Sequence, residues 1–400
     1  MSEPGVRMWD PDWWARDDAC DQLGELRRSD PVFWQETPDG GGYWAVLRHA
    51  DAVEVSRHPE VYSSWLGGIV LEDVDAARLD LSRRMLLVMD PPAHTSYRQP
   101  LAPHFAARVI SRMEPQIRER CRSILDAVAE GEEIDFCHEV AAPLPSQVIG
   151  EIMGLPQEDT PRIRQWAEVQ LGGQDDELSG GYAGDAMLDM VTYAMQLAAG
   201  RRTQPRQEDV TALLLESTFE DGHRMDDAEF GAFFVQLVTA GNDTTKTLIT
   251  SGMYELGHRP ELLRRLRDQP ALIPTAVEEM LRFWNPVHYQ RRTAAADTVL
   301  RDTKIGAGDR VVVYYTSANR DEEVFDDADS FDAQRTPNPH LSFGIGAHFC
   351  LGAQLARLES RILFEELLAA FRTIELSGDP ARIRSNFING FRRLPVTLGR

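Results

Sequence analysis

Cys350 lies in the run PHLSFGIGAHFCLGAQLARLE, with Gly344 and Gly346 before it and Gly352 just after. Glycine lets a backbone turn tightly and come close to a flat object. A helical pattern starts directly after Gly352. A cysteine there meets unpaired N–H groups and the positive end of the helix dipole, and both stabilise a thiolate. A second constellation lies upstream. In Ala240-Gly241-Asn242-Asp243-Thr244-Thr245, small and polar residues interrupt a long pattern that contains FFVQLV. Asp243 is a candidate proton-relay acid and Thr244 a candidate hydroxyl partner, a pair suited to delivering protons to a reacting oxygen. Gly241 removes bulk where a small reactant must fit. Thr244 can also bond the carbonyl of Ala240, four residues back, and bend the helix.

Long elements must carry these groups. Helical patterns cover 104–130, 226–257, 260–283 and 352–371. Asp226 and Glu229 form a capping box, and Met225 and Phe230 stand where a hydrophobic staple would. A helix of about 31 residues from Asp226 is ~46 Å long, so it crosses the whole domain and is buried for much of its length. Strand signals fall early (43–48) and late (310–315). They imply a mainly α, α-rich α+β architecture whose small β-sheet is closed by distant segments. No repeat, low-complexity tract or linker divides the sequence, so residues 1–400 read as a single domain.

Composition narrows the function. Lys and Arg number 42 against 64 Asp and Glu, a formal charge of −22. That argues against nucleic-acid and anionic-membrane partners. Cys20, Cys121, Cys137 and Cys350 are widely spaced and lack a CxxC, so they form neither a disulfide framework nor a zinc ribbon. The acidic start has no apolar signal region, and no run reaches the ~18 apolar residues of a spanning helix. The expectation is a cytoplasmic protein with reduced thiols and no membrane anchor.

A thiolate facing a close-packed plane is what a haem iron needs. The cysteine loop matches F-x-x-G-x-[HR]-x-C-x-G at Phe343, Gly346, His348, Cys350 and Gly352, and Glu279-Met280-Leu281-Arg282 is an E-x-x-R helix motif. On these motifs the chain resembles the cytochrome P450 family over essentially its whole length. The resemblance implies the P450 fold, with haem b between the long central helix and the helix after the cysteine loop. It makes Cys350 the axial iron ligand and gives the propionates to His94, Arg98, Arg292 and His348, with Arg291 an adjacent alternative. Ala240 and Phe343 would touch the haem. Glu279 and Arg282, with Arg335, would form a structural network behind the loop. Asp243 and Thr244 would serve oxygen activation. Trp65, Leu66, Ile69, Gln236, Thr239, Ala240, Val287, His288, Ile388 and Asn389 would line the substrate pocket, mostly apolar and suited to an apolar small molecule.

The implied reaction is RH + O2 + two electrons + two protons giving ROH + water. The cysteine loop and SNFINGFRRLPV look most like bacterial members that oxidise steroid side chains, linear terpenoids and fatty chains; others tailor natural products. The sequence carries no flavin or iron–sulfur motif, so electrons from NAD(P)H should arrive through a separate ferredoxin and ferredoxin reductase. A local basic patch on the cysteine side, drawing on Arg108, Arg112 and Arg357, is the expected dock. Oxidative coupling, epoxidation, C–C cleavage, peroxide-driven oxidation and a haem sensor without turnover are alternatives. A zinc site of His340, His348 and Cys350 is a further one, with spacing wrong for a standard site.

Overall fold

The structure is a computed structural model that describes residues 5–400 apart from 181, 204, 206, 220 and 221. Its axis is the helix Asp227–His258, 32 residues long. Both halves of the expected capping box form. Glu229 N–H donates to the Asp226 carboxylate at 2.8 Å, and Asp226 N–H donates to Glu229 at 2.9 Å. Met225 and Phe230 are buried beside it. The helices Pro143–Ile152, Thr160–Leu171, Ala183–Arg201 and Ala353–Ala370 all pack on this axis. Over most of its length such a helix has little solvent face to satisfy, which is why it is built largely from Phe, Val, Leu and Thr rather than from an amphipathic stripe.

Two of the expected helices are broken. The 104–130 pattern becomes a 3-10 turn Ala102–Phe105, an extended Ala106, the short helix Ala107–Ile110, a second 3-10 turn and then Glu114–Asp126. The 260–283 pattern divides into Pro260–Asp268 and Ile273–Phe283 around Pro270. Proline lacks the N–H that a helix interior needs, so Pro103, Pro115 and Pro270 sit only at helix starts. Apolar spacing continues through these breaks and hides them.

The main sheet has five strands, in the order Val32–Glu36, Gly42–Val46, Arg310–Tyr314, Tyr289–Ala294 and Tyr62–Ser63. Gly42–Val46 runs parallel to Arg310–Tyr314 with Trp44 opposite Val311, so early and late segments do close the sheet. The other pairs are antiparallel. A three-stranded sheet joins Glu133–Asp135, Pro395–Gly399 and Thr373–Leu376. The largest apolar core surrounds the central helix, and two smaller ones lie against the main sheet.

Candidate active site

The cysteine loop turns on Gly344 (φ 66°) and Gly346 (φ 76°), in the left-handed region that favours glycine. A β-carbon on Gly346 would stand 2.5 Å from the Ser56 carbonyl oxygen. Cys350 N–H donates to the Phe343 carbonyl at 2.8 Å, and the helix Ala353–Ala370 begins three residues on. Burial pushes the Cys350 thiol up, while the Gly352 N–H and the charges of Arg98 and Arg357 oppose it. Coordination to a metal ion reverses that balance and deprotonates a thiol outright. The Phe343 ring lies under the Arg357 guanidinium, 4.4 Å from ring centroid to Cζ.

Behind the loop, Glu279 and Arg282 are fully buried and joined by two bonds of 2.7 and 2.8 Å. Arg282 also donates to the carbonyls of Asn319, Ala328 and Ser330. Glu279 accepts in addition from Arg335, Asn338 and the Asp332 N–H. A buried ion pair is tolerable when such extra bonds satisfy it, and this one pins the segment that leads into the loop. A second network was not legible in the sequence. Glu278 bridges Arg357 at 2.7 Å and His340 at 3.1 Å. Against burial, which raises it, these partners hold the Glu278 carboxyl down to about 2. Arg357 is therefore engaged and only half exposed to a dock.

Four cationic or hydrogen-bonding side chains meet beside the loop. The rings of His94 and His348 lie 4.3 Å apart, and Arg98 donates to the Phe349 carbonyl at 2.6 Å. Burial, then Arg98 and Arg292, push His94 down to about 4. Burial, then Arg292, His94 and Arg98, push His348 down to about 2. Among the described residues no ion pair involves any of the four, and the buried His348 Nε2 has no partner. Strand alternation separates the adjacent arginines. Arg291 turns to Asp73 and the Val70 and Leu71 carbonyls, whereas Arg292 acts on His94 and His348.

Opposite the loop, the central helix opens. Ala240 is exposed, and Gln236 and Thr244 are half-buried, in the middle of a helix that is mostly buried. Positions four apart share a face, so this stripe looks into a hollow. Thr244 Oγ1 donates to the Ala240 carbonyl at 2.6 Å. Gly241 instead packs on Ile149, which would lie 3.3 Å from a β-carbon there. Asp243 turns away from the hollow and is 3% exposed. Its carboxylate meets Lys246 Nζ at 3.1 Å, and Lys246 also meets Glu168 at 3.2 Å. Burial raises the Asp243 carboxyl, opposed by Lys246, and the two carboxylates keep Lys246 protonated.

The cytochrome P450 family model matches residues 187–395. The chain is 40% identical to a methyl-branched lipid omega-hydroxylase of Mycobacterium tuberculosis, over 98% of this chain and 94% of that protein. It belongs to the cytochrome P450 family. A steroid C26-monooxygenase of Mycolicibacterium smegmatis is 37% identical over 94% of this chain and 90% of its own length. A Mycobacterium marinum P450 in complex with pseudoionone superposes with a TM-score of 0.91 at 36% identity, over 99% of this chain and 100% of that one.

This P450 is a haem-thiolate monooxygenase that draws its electrons from an external redox partner. Its residues fit the haem. Unpaired cations and the orphaned His348 Nε2 suit two propionates, the glycine loop admits a flat ring, and the stripe from Gln236 to Thr244 leaves room above it. The zinc alternative fails on geometry: among the described residues no three His, Cys, Asp or Glu side chains are placed to hold a metal ion together. No helix among the described residues is long and apolar enough to cross a membrane.

The expected pocket residues fall into two groups. Trp65 and Leu66 are exposed, with Arg83 stacked 5.1 Å over Trp65, and Ile69 and Val287 are half-buried. Gln236 accepts from the Leu87 N–H at 3.2 Å, and Val287 bridges to Ile388. The other three turn elsewhere. Thr239 donates to Gln170 at 3.1 Å. His288 stacks on Trp14 at 3.8 Å and bonds Thr316. Asn389 is taken up by Asn285 and Arg382. These three brace the wall, and of their polar atoms the buried His288 Nε2 is left without a partner.

Proposed function

We propose that Cys350 ligates the haem iron, that His94, Arg98, Arg292 and His348 hold the propionates, and that Asp243 and Thr244 deliver protons on the opposite face. The convergence of two arginines and two neutral histidines beside the Cys350 loop, with the His348 Nε2 left without a partner, carries this reading. Bound haem supplies an iron that takes dioxygen, and thiolate donation favours O–O cleavage. The protein's own work is positional. Ala240 keeps the helix face low. The Thr244 hydroxyl, with its proton on the Ala240 carbonyl, offers an oxygen lone pair to the hollow. Asp243, the preceding residue, turns to Lys246 on the other side of the helix and is the acid through which protons would be passed on. The net conversion is RH + O2 + two electrons + two protons to ROH + water.

The substrate class we propose is an apolar chain or side-chain-bearing lipid, oxidised near its tail. Relatives named for a methyl-branched lipid and for steroid C26 support it, as do the apolar Trp65, Leu66, Ile69, Val287 and Ile388. The reduced protein with carbon monoxide should show a strongly red-shifted Soret band that Cys350→Ala loses. Titration with branched lipids and sterols should then displace distal water and shift the resting spectrum. A histidine-type band would refute the ligand assignment.

We further propose a ferredoxin and its reductase as the electron source, docking at the exposed Arg108 and Arg112, which flank the exposed Val109. Reversing both arginines should slow reduction and flatten its salt dependence; unchanged rates would refute the dock. Residues 1–400 would work as one unit in the cytoplasm, a setting that suits four free cysteines.

A further inference from the structure

The Glu278 carboxylate holds both neighbours of one aromatic ring. It takes the Arg357 guanidinium through two parallel bonds, from Nε to Oε1 at 2.7 Å and from Nη2 to Oε2 at 2.8 Å. The same Oε2 lies 3.1 Å from His340 Nε2. Arg357 stands over the Phe343 ring at 4.4 Å, and the His340 ring lies 5.9 Å from that ring, tilted by 47°. A cation over an aromatic face is attracted by the ring quadrupole. Phe343 is itself joined to the proposed iron ligand, because its carbonyl accepts the Cys350 N–H. One acid on the helix Ile273–Phe283 thus fixes a guanidinium and an imidazole around the residue that receives the cysteine. The adjacent Glu279 pairs with Arg282 and Arg335 instead, so the two neighbouring acids serve different networks.

The charge balance follows from the partners. His340 Nδ1 accepts from the Ser342 N–H at 3.3 Å, which places the ring proton on Nε2 and leaves the imidazole neutral. The group is then one carboxylate, one guanidinium and one neutral ring, with no net charge. Arg98 and Arg357 are the two cations whose charge reaches Cys350 and lowers its thiol. Arg98 has a propionate to face in the reading above. Arg357 has Glu278, the one acid that pairs with it among the described residues. Their side chains are 30% and 28% exposed, so water weakens the field of either charge without removing it. Groups just outside the ligand shell tune a metal through the charge they place on the ligand. A bare cation beside a thiolate draws electron density onto the sulfur and favours the reduced metal; a neutralised one does neither.

We propose that Glu278 is a positioning residue for thiolate donation: by neutralising Arg357 and holding it, with His340, against Phe343, it keeps the Cys350 sulfur a strong donor and the reduction potential of the bound haem low. Glu278 acts through Arg357 and not on the sulfur itself. The inference rests on Cys350 being the iron ligand.

Charge variants separate a field from a scaffold. Glu278→Gln keeps the shape and leaves Arg357 uncompensated. Arg357→Gln removes the cation and leaves Glu278 uncompensated. The double variant is neutral again. Potentiometric titration of the haem-loaded proteins above neutral pH, where Glu278 stays ionised without its partner, reads the effect. Glu278→Gln should lie above wild type and Arg357→Gln below it, each by several-fold in the ratio of reduced to oxidised protein at a fixed potential. The double variant should return close to wild type. The infrared stretch of carbon monoxide on the reduced protein reads donation independently, since a stronger donor sulfur passes more electron density to the bound gas. It should rise in Glu278→Gln and fall in Arg357→Gln. Glu278→Asp keeps the charge and should stay nearer wild type than Glu278→Gln in both readouts. If Glu278→Gln does not load haem, the double variant should still lie above Arg357→Gln. A pair that only braces the loop predicts another pattern, with both single variants shifted the same way and the double variant at least as far. That pattern, or an unchanged potential and stretch, overturns the proposal. A histidine-type Soret band in the wild-type carbon monoxide complex would instead show that the ligand assignment itself has failed.

Discussion

Lys246→Met isolates the ionic part of the site. Lys246 is 6% exposed and bonds two carboxylates, Asp243 and Glu168. Methionine keeps most of the volume and removes the charge, leaving two acids facing each other in a buried space. Removing one partner of a buried pair costs about 3–5 kcal/mol. At ~2.1 cal/mol/K per residue, unfolding entropy for a chain this long is ~0.84 kcal/mol/K, so the loss corresponds to a fall of about 4–6 °C in Tm. The pH dependence follows from the sign of the shift. Burial already raises the Asp243 carboxyl, and without Lys246 both burial and Glu168 raise it further. A carboxyl whose folded pKa lies above its unfolded value contributes stability below the unfolded value and loses it as pH rises through the folded one. The deficit should therefore be larger at pH 8 than at pH 5. Thermal unfolding of variant and wild type at both pH values, at one scan rate, measures it. A deficit equal at the two pH values, or none, would refute the buried charge pair as described.

Three further outcomes are expected. Thr244→Ala should divert reducing equivalents to peroxide while leaving haem uptake intact, and Thr244→Ser should restore most of the product yield; peroxide assay against oxygen consumption reads both. Arg282→Met strips the donor of five buried hydrogen bonds and should destabilise by at least about 3–5 kcal/mol, giving haem-poor protein; Arg282→Lys should not rescue it, because an ammonium lacks the planar fork. His94, pushed down to about 4, stays neutral in the folded apoprotein while the unfolded chain protonates near 6.5. Its contribution is therefore present above pH 6.5 and lost as pH falls toward 4, at ~1.4 kcal/mol per pH unit. Chemical denaturation across that window should show a loss that His94→Phe removes.

The parts of the site visible in the sequence are those set by local spacing. The capping box at Asp226, the glycines around Cys350, the Glu279–Arg282 pair and the Thr244–Ala240 bond each depend on residues a turn or less apart, or on a single tight loop. What stayed hidden depends on partners distant in sequence. Nothing at Asp243 announces Glu168, 78 residues from Lys246, although Lys246 itself, three residues on, was a visible signal. The Glu278–Arg357–His340 bridge joins three segments and is invisible for the same reason. Orientation was the other gap. Thr239 and His288 lie in the right segments, but one residue step along a helix or strand turns a side chain by 100° or 180°. Broken helices escaped because apolar periodicity survives a 3-10 turn.

The parallel pairing of Gly42–Val46 with Arg310–Tyr314 has a consequence for synthesis. The Tyr43 and Tyr314 hydroxyls, 271 residues apart in sequence, share a 2.7 Å hydrogen bond. Closing a loop of that length costs on the order of 5 kcal/mol in chain entropy. On a ribosome moving at ~5–20 residues per second, the later strand appears roughly 15–50 s after the earlier one. Throughout that interval Gly42–Val46 has Val32–Glu36 on one side and a bare edge on the other, carrying Tyr43, Trp44 and Val46. An uncovered apolar edge is a template for pairing with another chain. The residues proposed to grip the haem run from His94 to Cys350, so no shorter nascent chain can use the cofactor to hold itself together. The yield of folded protein should thus be governed by how well that one hairpin is shielded during the wait.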